Sequence, residues 1–61
     1  MPEVIIYALE GRTSEIKNAL AKDITDAVTK HFSVPAETVM VQIVESSRAS
    51  KFRGGIPFSE R

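Results

Sequence analysis

Sixty-one residues with no cysteine, one histidine (His31) and eight basic against eight acidic side chains make a short, formally neutral chain read as one domain over residues 1–61. A chain this small buries too little of its surface to be comfortably stable alone. With disulfides excluded and a transition-metal site disfavoured by the lone histidine, self-association is the remaining supplement, and 43% hydrophobic residues supply surface for it.

The balanced charge offers no basic field for nucleic acid or an anionic membrane. No apolar run approaches the ~20 residues of a membrane span, and the N-terminus lacks a secretory signal's basic flank and apolar segment. The expected setting is the cytoplasm, with no membrane or nucleic-acid partner and no transition-metal site.

Residues 4–9, VIIYAL, form an unbroken apolar run rich in β-branched and aromatic side chains, which predicts a strand covered on both faces, with Tyr7 as packing. Glu10, Gly11 and Arg12 read as a turn. Thr13 is a candidate N-cap, and Glu15 sits in the first turn, near the positive end of a helix dipole. Ile16, Leu20, Ile24, Ala27, Val28 and Phe32 then recur with the period of a helix covered on one face, spanning Ser14–Phe32, with Lys17 and the other charged residues mostly off that stripe. His31 falls where it complements the negative end of the dipole.

Val34 before Pro35 is pushed out of the helical region, so the helix ends there. Residues 35–38 read as a connector and 39–45 as a second strand, with Val39, Val41 and Ile43 on one face and Met40, Gln42 and Val44 on the other. Strand, helix and strand make a βαβ unit with parallel strands and a right-handed crossover. Two strands alone are marginal, which again points to identical neighbours. Residues 46–61 are small, polar and basic, with Gly54-Gly55 predicting a tight hairpin. Phe52, Ile56 and Phe58 there are exposed unless they dock on another subunit, and Glu45 is a candidate partner for a basic residue of this tail.

Pro2 stands apart, because a proline at a strand start is either structural or a reagent. Methionine before a small residue is normally clipped, and loss of Met1 would turn the Pro2 nitrogen from an amide into a secondary amine. Near a cation and away from water, the charged form of such an amine is disfavoured and its pKa falls towards neutrality, where a general base works well. Arg12, at the far end of the same strand, is either solvated or a bidentate carboxylate grip.

Met-Pro before a strand, Leu9-Glu10-Gly11-Arg12-Thr13, an amphipathic helix, Val34-Pro35, a second strand ending in Glu45 and a Phe-containing segment with Gly54-Gly55 together resemble the small 4-oxalocrotonate tautomerase family over essentially the whole chain. The resemblance implies an α/β (α+β) fold, a single βαβ unit with a short C-terminal hairpin, whose dimers form four-stranded sheets and assemble into a hexamer with active sites at subunit junctions. It implies a cofactor-independent tautomerase, an isomerase moving a proton within a small unsaturated 2-oxo carboxylic acid. Pro2 would be the catalytic base. Arg12, Phe52 and Leu9 would contact substrate.

The best-studied members of that family carry a second arginine in the second strand, contributed by another subunit, and here Met40 stands in its place. A thioether cannot pair with a carboxylate. Arg48, Arg53 and Arg61 are candidate replacements, with Arg48 grouped among the substrate-binding candidates. Two other readings accompany the tautomerase: a hydratase or dehalogenase using protonated Pro2 as general acid, and a non-catalytic oligomeric ligand-binding protein.

Overall fold

The computed structural model describes residues 1–60. Strand β1 (Glu3–Leu9) pairs in parallel with β2 (Met40–Ser46), in a register that sets Glu3 opposite Met40 and Leu9 opposite Ser46. Parallel neighbours need a crossover, and helix α1 (Ser14–Phe32) supplies it. The Thr13 hydroxyl accepts the Ile16 N–H at 3.2 Å, satisfying one of the free donors of the first turn. At the other end Lys30 and His31 occupy the last turn, and Ser33 closes the helix in a left-handed conformation, its N–H donating to the Thr29 carbonyl.

The second strand starts and ends one residue later than the pattern predicts. Val39 donates its N–H to the Ala36 carbonyl, closing a 3-10 turn over Ala36–Thr38, so the ladder opens with the Met40 N–H on the Pro2 carbonyl at 2.9 Å. Its far end extends because the Ser46 carbonyl accepts from the Glu10 N–H.

Val4, Ile6 and Ala8 share the half-buried face of β1 with Val41 and Ile43 of β2, and the helix lies over that face. Its inner positions are Lys17, Ala21, Ile24, Thr25, Val28 and Thr29. Of the predicted stripe, Ile24 and Val28 are inward. Ala27 and Phe32 are exposed, and Ile16 and Leu20 stand at the margin, because two strands are narrower than the helix's apolar arc. The opposite sheet face is bare, so the expectation of cover on both faces, and of Tyr7 as packing, does not hold within one chain: Tyr7 is 73% exposed.

Strands β3 (Phe52–Arg53) and β4 (Ile56–Pro57) form the predicted hairpin. Gly54 and Gly55 both take positive φ, 59° and 80°, as a two-residue turn matched to strand twist requires. The Phe58 N–H closes it on the Lys51 carbonyl, yet Phe52 and Ile56 stay exposed.

No hydrophobic side chain among the described residues is fully buried. The surface is 4710 Å², where a compact monomer of this mass exposes roughly 3,900 Å². The radius of gyration is 14.7 Å against about 10.5 Å for a compact chain of this length. Both values exceed those of a compact chain of this length. Among the described residues no helix is long and apolar enough to cross a membrane.

Candidate active site

Pro2 is half-buried at the N-terminal end of β1, tied to β2 through its carbonyl. With Met1 attached, its nitrogen is an amide. Leu9 ends the strand and Arg12 lies beyond it, and its seven residues span roughly 23 Å at about 3.3 Å each. Arg48 belongs to the same far end, two residues past Ser46, the register partner of Leu9. One chain therefore gathers Leu9, Arg12 and Arg48 at one end of the sheet and leaves Pro2 with Met40 at the other. Phe52 stands on the hairpin, anchored near Arg48 by a Ser59 N–H to Arg48 carbonyl bond of 3.1 Å.

At the Arg12 end, α1 and the sheet enclose an open cavity of about 210 Å³. Ile6, Ala8 and Ile43 form its sheet side, and Ile16 and Leu20 its helix side. Leu9 and Arg12 complete the lining together with a linked pair, Lys17 and Glu45. Gly11, at φ 120°, allows the sharp corner between β1 and the helix, and the Arg12 guanidinium donates to the Leu9 carbonyl at 3.1 Å. That bond orients the side chain without neutralising it.

Lys17 Nζ meets Glu45 Oε1 at 3.0 Å, with both side chains 30% exposed. Glu45 is thus paired to the helix, and the expectation of a tail partner is corrected. The available signal was spacing: Lys17 stands four residues before Ala21 and seven before Ile24, on the face that turns inward. Arg53 stacks over the Phe58 ring at 5.9 Å, and Arg61 lies outside the described residues. Arg48 and Met40 belong to opposite ends of β2, so Arg48 does not supply a cation beside Met40 within one chain. Among the described residues no group of three or more His, Cys, Asp or Glu side chains is placed to hold a metal ion.

An apolar cavity with an uncompensated guanidinium can hold a small acid by its carboxylate while the rest of the molecule leaves water. Pro2 is not among its lining residues.

Comparison with known proteins identifies the family. Residues 2–61 match the Tautomerase family, described as tautomerase enzyme. A "Probable tautomerase" from Bradyrhizobium diazoefficiens is 43% identical over 61 residues, covering 100% of this chain and 91% of that protein. The 2-hydroxymuconate tautomerase of Pseudomonas putida is 35% identical over 60 residues, covering 98% and 95% respectively. A solved heterohexamer 4-oxalocrotonate tautomerase from Chloroflexus aurantiacus superposes with a TM-score of 0.85 at 35% identity, covering 98% of this chain and 97% of that one. Motif order, fold and relatives converge: the chain belongs to the tautomerase enzymes, among the homologues of 4-oxalocrotonate tautomerase, and is by class an isomerase.

Proposed function

We propose that this chain, freed of Met1, interconverts enol and keto forms of a small unsaturated 2-oxo carboxylic acid at sites shared between copies, with Pro2 as base and Arg12 of a second copy as carboxylate grip. The observation that carries the reading is the separation of these two residues along a strand whose outer edge is unpaired. A second copy aligned antiparallel on that edge sets its Arg12 corner beside Pro2, and two-fold symmetry makes two such sites at once. The result is a four-stranded sheet, and its bare face, with Ile5, Tyr7 and Met40, is material for further assembly towards a hexamer.

In that setting the Pro2 amine loses water and gains a guanidinium neighbour, and both favour its neutral form. It takes a proton from one atom of the conjugated acid and returns it to another, a balanced isomerisation. Arg12 holds the carboxylate, Leu9 and the cavity wall shelter the carbon chain, and Phe52 of the hairpin covers the site. The one carboxylate lining the cavity among the described residues, Glu45, is engaged by Lys17, which leaves it poorly placed to activate water and favours tautomerisation over hydration.

The direct test compares Met1-free protein, verified by intact mass, with a chain carrying a Gly-Ser extension before Pro2, following 2-hydroxymuconate or enol-phenylpyruvate by ultraviolet absorbance. Activity is expected in the first only, and equal rates would remove the amine from the mechanism. Association has its own consequence. Because folding depends on partners, Tm should climb with protein concentration, each tenfold step adding about 1.4 kcal/mol per coupled binding event. A Tm independent of concentration over a thousandfold range would mean that the subunit stands alone.

A further inference from the structure

Among the described residues two cations and one carboxylate line the cavity, and the carboxylate is spent on one of the cations. Lys17 reaches from the helix and Glu45 from the end of β2, across 28 residues of sequence, to meet at 3.0 Å. Among the described residues Arg12 donates to a neutral carbonyl, that of Leu9, and meets no carboxylate. Building on the shared-site reading above, we propose that the Lys17–Glu45 pair is a charge lock that leaves Arg12 as the cavity's single uncompensated charge, so that the site selects acids with one carboxylate and an apolar body over dicarboxylates.

Each partner restrains the other. Glu45 without Lys17 becomes a free anion in a cavity that must receive an anion, repelling it and competing for Arg12. Lys17 without Glu45 becomes a second cation, and the cavity then accommodates a second carboxylate.

The test measures binding on Pro2→Ala protein, so that it does not depend on turnover, using calorimetry with 3-phenylpropionate as the monoacid probe and cis,cis-muconate as the diacid. With Lys17 and Glu45 intact, the monoacid is expected to bind at least about tenfold tighter, the scale of one unmatched charge in a partly exposed site. Glu45→Gln, which preserves shape, should bring the two acids within about twofold by strengthening muconate. Lys17→Met should weaken the monoacid about tenfold, and Lys17→Met with Glu45→Gln should restore it, since both charges are then gone. Tighter binding of muconate with the pair intact, an unchanged preference in Glu45→Gln, or a double variant no better than Lys17→Met would each overturn the lock. Glu45→Gln keeps the proposal exposed to failure even if Lys17→Met does not fold. Absence of tautomerase activity in Met1-free protein would count against the catalytic reading separately, since these binding ratios do not require Pro2 to act.

Discussion

Pro2→Ala is expected to lower kcat/KM for enol-keto conversion by about 10²- to 10⁴-fold, the usual contribution of a positioned general acid or base. The substitution leaves a terminal amine in place, which makes it a demanding test. What disappears is the ring, which fixes the nitrogen relative to the backbone. A primary amine at the same position rotates freely and is better hydrated, so its lone pair is less well aimed at the substrate. The Pro2 carbonyl that accepts the Met40 N–H has an alanine equivalent, so the strand pairing persists and the loss is chemical. Circular dichroism and the sedimentation profile should therefore match the parent, and the fall should appear in kcat more than in KM. Parental activity in Pro2→Ala would end the proline mechanism.

The elements governed by local physics were legible before any coordinates. Thr13 caps the helix because a β-region residue with a side-chain oxygen fits there, Val34-Pro35 stops it, and Gly54-Gly55 turns the hairpin. Less legible were the features that belong to environments wider than a segment. The run at residues 4–9 reads as a strand covered on both sides because its composition is apolar throughout, whereas in one chain only one face meets the helix and Ile5 and Tyr7 face outwards. The start of β2 moved to Met40 because a 3-10 turn captured the Val39 N–H, a choice set by the geometry of Pro35 and Ala36. Lys17 looked like a solvated charge until the helix's rotation over the sheet brought it to Glu45, 28 residues away. For the site itself, the strand reading already set Pro2 and Arg12 at opposite ends of β1; what the sequence did not show was the cavity beside Arg12 and the Lys17–Glu45 pair that lines it.

That separation makes the strongest demand of all on the shared-site reading. If Pro2 of one copy works with Arg12 of another, then mixing Pro2→Ala and Arg12→Ala chains must create function from two deficient proteins. In a symmetric pair of one chain of each kind, one site combines both lesions while the other combines the intact Pro2 of the Arg12→Ala chain with the intact Arg12 of the Pro2→Ala chain. Random reassembly of equal amounts makes half of all pairs mixed, so about a quarter of the sites become native. The mixture, unfolded together and refolded, should recover about 25% of the parental rate, against residual activity of 1% or less expected for each variant alone on the scale of about 10²-fold per lost group. The pairing must be exchanged, so the same proteins mixed without unfolding should recover more slowly, at the rate of subunit dissociation. A site confined to one chain admits no such rescue, because every chain in the mixture then carries a lesion in its own site. Recovery with the kinetics of subunit exchange would locate the reacting proton at a junction between copies, and a flat zero would return Pro2 and Arg12 to unrelated ends of a strand.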